Sequence, residues 1–152
     1  LPFVRTVRDI ADLGAGTGAD AEEFHQLCAS IEPRRYLLLD AQRAMLEAGQ
    51  EHRRRHPADA VQARPLLGDV TRLPLKDGSC HVVLSIGLLC CVEDAAIPTA
   101  IEESARILRP GGILVLGVPR WRGPSDERAT AASGLVRRAG GRPGHAVFQK
   151  PL

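Results

Sequence analysis

Asp12-Leu13-Gly14-Ala15-Gly16-Thr17-Gly18 places an acidic residue just ahead of three alternate glycines. Glycines at those positions let the backbone turn sharply and approach a bound molecule with no Cβ in the way. Val7 to Leu13 reads as a strand and Ala19 to Ile31 as a helix, whose free N–H groups suit a phosphate or carboxylate. Strand, glycine turn and helix together make a cradle for a nucleotide or cofactor; the other reading is a plain tight connection. Asp40 lies 22 residues beyond Gly18, close to the spacing at which a carboxylate reaches a ribose and accepts hydrogen bonds from its hydroxyls. Its alternative role is an N-cap, since helical residues start at Ala41. Asp69, after Gly68, has the simple reading of a turn former.

The elements that must position these residues alternate along the 152-residue chain. In the first helix, Phe24, Leu27, Cys28 and Ile31 share one face. Tyr36-Leu37-Leu38-Leu39 is a continuous apolar run, as in a parallel strand covered on both faces. Ala41 to about His56 is expected to be helical with Met45 and Ala48 inward. Arg64 to Leu67 reads as a third strand, placed at a sheet edge by Pro65. A loop from Val70 to Ser79 precedes the fourth strand, His81 to Ser85. Ile97, Ile101 and Leu108 line one face of the next helix, with Glu102, Glu103, Arg106 and Arg109 turned away. Pro110-Gly111-Gly112 ends it. Ile113 to Val118 is the fifth strand, Pro119 to Pro124 a loop, Ser125 to about Ala139 a last helix capped by Ser125, and His145 to Gln149 a closing strand.

This order predicts an α/β fold in one domain over residues 1–152. It is a doubly wound, mostly parallel, Rossmann-like sheet of six or seven strands with helices on both faces, shortened at both ends. Ligands on such sheets bind at the C-terminal strand ends. Gly14 to Gly18, Asp40, Asp69 and Ser85 all stand at or just past such ends, so they are expected to converge on one crevice.

Composition narrows the function. Aromatic residues are 3% of the chain, so Leu, Val, Ile and Ala must build the core. A net charge of +2 carries no bias toward nucleic acid. The run Arg53-Arg54-Arg55, flanked by His52 and His56, reads as a solvated helix end. No apolar run approaches a membrane span, and Leu1 to Asp9 lacks the layout of a signal peptide. Cys28, Cys80, Cys90 and Cys91 do not have zinc spacing, and no metal is expected. A reduced, cytoplasmic setting follows. Cys90 and Cys91 read as small buried hydrophobes, His81 as a surface or packing residue, and Trp121 as a cover or plug at the sheet end.

Taken together, the motifs resemble the class I S-adenosylmethionine-dependent methyltransferases, in particular the small-molecule group that includes the ubiquinone/menaquinone C-methyltransferases. The matching pieces are the Asp12–Gly18 stretch, Asp40, Gly68-Asp69 followed by Leu73-Pro74, and Leu108-Arg109-Pro110-Gly111-Gly112. The resemblance implies S-adenosylmethionine as cofactor. It implies contacts from Asp12 (methionine amino end), from Gly14, Ala15, Gly16 and Gly18, from Asp40 and Ala41 (ribose side), and from Asp69 and Val70 (adenine). Ser85 to Asp94 would face the methyl group. The implied reaction is in-line displacement onto a small-molecule acceptor, for which positioning alone supplies much of the acceleration. No general base is assigned: relatives often carry His-His at Cys90-Cys91 and Phe-Asp at Cys80-His81.

Gly14, Gly16 and Ala19 also satisfy the dinucleotide pattern G-x-G-x-x-A, but Asp69 with Leu73-Pro74 and the Arg-Pro-Gly-Gly turn lie outside it. A second alternative is a catalytically silent, cofactor-binding or partner subunit. It draws on the brevity of the chain: few residues precede the first strand, and 140–145 leaves no room for a sixth strand. A homodimer or protein partner is then expected to complete the site.

Overall fold

Strand β1 (Asp9–Leu13) is buried along its whole length, and everything else in the sheet is arranged outward from it. The computed structural model describes residues 7–27, 33–56, 62–117, 124–138 and 145–152. β1 pairs in parallel with β2 (Arg35–Asp40) on one side and β4 (Cys80–Ile86) on the other. β3 (Arg64–Leu67) lies outside β2, and Pro65 sits on this edge strand as expected, where its missing N–H breaks no ladder beyond. β5 (Leu108–Gly117) follows β4 in parallel. Antiparallel β7 (His145–Gln149) and β6 (Val136–Arg138) complete the order β3-β2-β1-β4-β5-β7-β6.

Alternation along the strands sends side chains to two cores. Ala11, Leu13, Val83, Leu114 and Leu116 pack with helix α3 (Ile97–Ile107). Helix α4 (Pro124–Ala132) joins this side through the partly buried Ala129. Ile10, Tyr36, Leu38, Val82 and Leu84 pack on the other face with Ala21 and Phe24 of helix α1 (Ala19–Leu27) and Leu46 of helix α2 (Arg43–Arg55).

Several expectations change. The buried line of α2 is Leu46, Gly49 and Arg53, not Met45 and Ala48, which are exposed. The helix leans on the glycine turn: a Cβ on Gly49 would lie 2.2 Å from the Thr17 carbonyl oxygen. Leu108 belongs to β5 rather than to the face of α3. Arg109 to Gly112 loop out between the pairs Cys80↔Leu108 and Val82↔Ile113, so the Pro-Gly-Gly run bulges a strand as well as following a helix.

The largest correction is at the C-terminal side. A sixth strand is present, pairing Val136↔Gln149, Arg137↔Phe148 and Arg138↔Val147. Helix α4 stops at Ala132 instead of about Ala139, with Gly134 at φ +73° just beyond, and this frees residues 136–138 for the hairpin. Ser125 falls inside α4, whose first residue is Pro124. Cys28, Ile31, Val118, Pro119 and Trp121, and the 139–144 connection, lie outside the described residues.

At the N-terminal strand ends, His81 is a packing residue. Its Nδ1 faces Asp9 Oδ2 at 3.4 Å, and Arg109 donates to its Nε2 at 2.6 Å. Arginine has no acceptor, so Nε2 must be unprotonated and the ring neutral. Burial and the Arg109 charge hold its pKa below the ordinary histidine value. Arg35 also donates to Asp9, at 3.1 Å.

Phe148 is 2% exposed and bridges β5 to β6 through its pairings with Leu114 and Arg137. Phe148→Ala is expected to cost about 3–5 kcal/mol in urea unfolding, the range for truncating a buried aromatic. A cost well under about 1 kcal/mol would mean the hairpin is not packed on the sheet.

Candidate functional site

The strand ends converge as expected. Residues after β1, β2, β3 and β4, with the start of α2, enclose a cavity of about 540 Å³, within the range of small-molecule sites. The floor is the glycine turn, where Gly14, Gly16 and Gly18 take φ of +69°, +55° and +90°. At Gly14 a side chain is excluded twice over, because a Cβ there would also lie 2.7 Å from Leu88.

One carboxylate ties the walls together. Gly16 N–H donates to Asp40 Oδ2 and Gln42 N–H donates to Asp40 Oδ1, each at 2.8 Å. Each oxygen keeps a further lone pair, and Asp40 lines the cavity. The N-cap position of α2 is held by Gln42, without a side-chain cap bond, so Asp40 is not the cap. Asp69 forms a turn and lines the cavity at once: Thr71 N–H and Thr71 Oγ1 both donate to its Oδ1 at 2.8 Å. These bonds hold its pKa below the usual carboxyl value. The loop that follows is tied down from α3. Glu103 accepts from Leu73 N–H at 2.7 Å, while Arg106 donates to the Leu73 and Leu75 carbonyls at 3.1 and 2.8 Å.

Of the residues singled out from sequence, Gly14, Gly16, Asp40, Ala41, Asp69 and Val70 line the cavity. Asp12, Ala15, Gly18 and Ser85 do not. Ser85 is 1% exposed within β4, and Ile86, Gly87 and Leu88 reach the cavity in its place. Ala15 and Gly18 shape the turn from inside: Ala15 N–H donates to Leu39 O, and Gly18 N–H to Ala15 O. Asp12 lies under the turn, 1% exposed, and its Oδ2 has no hydrogen-bond partner among the described residues. Burial first, then the charges of Asp20 and Asp40, push its pKa well above the usual value.

Two further expectations are corrected. Cys90 and Cys91 are exposed, and Cys91 lines the cavity; the short 3₁₀ turn Leu88–Cys90 turns Leu89 inward instead. Arg53 is not solvated. It is 9% exposed and donates from Nη1 to the Thr17 carbonyl at 2.8 Å. Burial lowers its pKa, and Glu22 opposes that shift. Gln42, Met45 and Thr71 also line the cavity and were missed; for Met45 the signal was its place one turn past Asp40. Gly87 and Glu93, within the Ser85 to Asp94 segment expected on the methyl side, line it too.

A sheet ordered β3-β2-β1-β4-β5-β7-β6, with its last hairpin antiparallel and a cavity over a glycine turn at the end of β1, defines a Rossmann-like methyltransferase fold. Residues 10–112 match the family described as a methyltransferase domain. The chain belongs to the class I S-adenosylmethionine-dependent methyltransferases, whose cofactor is S-adenosylmethionine.

It is 37% identical over 111 residues to a 37.1 kDa protein in transposon TN4556 of Streptomyces fradiae, covering 72% of this chain and 30% of that protein. It is 34% identical over 129 residues to the ubiquinone/menaquinone biosynthesis C-methyltransferase UbiE of Dinoroseobacter shibae, covering 82% of this chain and 48% of that one. The chain thus spans half or less of the length of these relatives. Among solved structures, the N-methyltransferase NodS of Bradyrhizobium japonicum, in complex with S-adenosyl-L-homocysteine, superposes with a TM-score of 0.76. That likeness is at 17% identity over 96% of this chain and 79% of NodS. No helix among the described residues is long and apolar enough to cross a membrane.

The cavity fits a cationic cofactor. The buried Asp12 Oδ2 beneath the turn has no hydrogen-bond partner among the described residues, and an ammonium or sulfonium nearby would offset the cost of the ionised carboxyl. The folded state holds the Asp12 proton more tightly than the unfolded chain. Asp12 therefore costs no stability below the usual carboxyl value of 3.8, and stability is lost as pH rises through the folded value. Asp12→Asn is expected to raise the melting temperature at pH 7, with the gain shrinking toward pH 4. A gain that does not change with pH would contradict the assignment.

Proposed function

We propose that this chain is the catalytic domain of a methyltransferase that moves a methyl group from S-adenosylmethionine to a small molecule. The observation that carries the reading is the Asp40 carboxylate, pinned between Gly16 N–H and Gln42 N–H on the cavity wall. Fixed in this way it accepts from both hydroxyls of a ribose without having to be ordered first. In this reading the Gly14–Gly16 backbone carries the methionine portion, Asp12 favours its ammonium from below, and Asp69 with Val70 takes the adenine. Ala15, Gly18 and Ser85 act by holding turn and strand in shape rather than by touching the cofactor.

S-adenosylmethionine, when bound, supplies an electrophilic methyl carbon on a sulfonium, open to in-line displacement by an acceptor nucleophile. What the protein's own residues do is orient and exclude water. Leu88, Val92 and Ala96 give the cavity an apolar wall beyond the turn, with Cys91 and Glu93 beside it. That lining supports an acceptor with a hydrophobic body, as does the function in the name of the Dinoroseobacter relative. Positioning carries the acceleration, and no general base is assigned. A second copy of the chain or another protein over the acceptor side belongs to the same reading.

Losing a charge-assisted bond of roughly 1.5–3 kcal/mol is expected to weaken S-adenosylmethionine binding about 10- to 150-fold in Asp40→Ala, measured by calorimetry. Circular dichroism and a melting curve check that the variant is folded. A folded Asp40→Ala with unchanged affinity would remove the ribose assignment.

A further inference from the structure

Two residues of α2, one turn apart on the same face, meet a single backbone oxygen. Gly49 packs so closely on the Thr17 carbonyl that a Cβ would lie 2.2 Å from it, and Arg53 Nη1 donates to the same oxygen at 2.8 Å. The guanidinium also abuts the next residue of the turn, for a Cβ on Gly18 would lie 2.6 Å from Nη1. Stability gives little reason for this arrangement. Arg53 is 9% exposed, and its Nη2 has no hydrogen-bond partner among the described residues. A buried cation with an unsatisfied donor is commonly matched or bettered by an apolar side chain of similar size.

The turn it holds is built from three glycines at positive φ, the residues with most conformational freedom to lose. We infer that Arg53 is a positioning residue for the cofactor turn, clamping it from behind at Thr17 so that Gly14–Gly18 is already in its binding conformation. This rests on the functional reading above. The same helix starts beside Gln42, whose N–H fixes Asp40, and carries Met45 on the cavity wall. One rigid element therefore sets both the turn and the carboxylate opposite it. Without the clamp the turn samples other conformations, and apparent affinity falls by the fraction of time spent in the competent one.

The test uses the whole chain, with S-adenosylhomocysteine and adenosine as calorimetric probes and Arg53→Met and Arg53→Lys as variants. If the competent turn becomes a minority of roughly one in ten, Arg53→Met weakens S-adenosylhomocysteine binding about tenfold. Adenosine, which in this reading lacks the portion carried by the turn, loses less than about threefold by the same argument. The melting temperature holds or rises, and Arg53→Lys, which can still donate to Thr17, recovers most of the loss. Faster hydrogen exchange at the Gly18 amide in Arg53→Met is the matching signature in the ligand-free protein.

A lower melting temperature with unchanged affinity would make Arg53 merely structural and overturn the inference, as would equal losses for both probes. If Arg53→Met does not fold, the stability argument fails and the inference with it. Wild-type protein that binds neither probe would refute the functional reading itself, a result distinct from wild-type binding with an unaffected variant.

Discussion

The structure depends on a carboxylate held by two backbone amides. Asp40 closes β2, and its oxygens accept from Gly16 in the turn after β1 and from Gln42 at the threshold of α2. The end of β2, the turn after β1 and the start of α2 are thereby fixed at one point. Both bonds are charge-assisted and short, the class of hydrogen bond that contributes most and tolerates least displacement. The rest of the fold serves that point. Parallel pairing brings the ends of β1, β2, β3 and β4 to one side of the sheet. The ties from Glu103 and Arg106 hold the loop after Asp69 against α3.

Charge around the cavity is arranged at some cost to the ligand-free protein. Burial and the charges of Asp20 and Asp40 all bear on Asp12, whose buried Oδ2 has no hydrogen-bond partner among the described residues. Such an arrangement has a reason if the ligand brings positive charge, and the sulfonium cofactor of this family does. Arg53, the buried cation, stands behind the turn on Thr17, where it shapes the site from outside the lining. Burying unpaired polar groups beside a site is a familiar exchange of stability for function.

Much of this was legible in the sequence because it follows from local chemistry. Pro65 marks an edge strand because it lacks an N–H. The Tyr36–Leu39 run marks a covered strand, and the glycine spacing a turn that only glycine can make. What could not be read depends on how elements lean on each other. Arg53 looked like part of a basic tail, and Gly49 carried no signal, because the sequence does not show that α2 presses on Thr17. The β6–β7 hairpin was discounted because α4 was read too long; Ala-rich residues favour a helix, but Gly134 ends it early. Cys90 and Cys91 looked buried by composition, whereas one 3₁₀ turn spends its inward position on Leu89. Ser85 was one residue short of the cavity, a miss that period-two alternation makes easy.

The central claim is that the cavity over the glycine turn holds S-adenosylmethionine rather than another nucleotide. Calorimetric titration of the chain with S-adenosylhomocysteine and, in parallel, with NAD tests it most directly. The account predicts saturable binding of S-adenosylhomocysteine at one site per chain and no measurable heat with NAD. Binding of NAD without S-adenosylhomocysteine would contradict it.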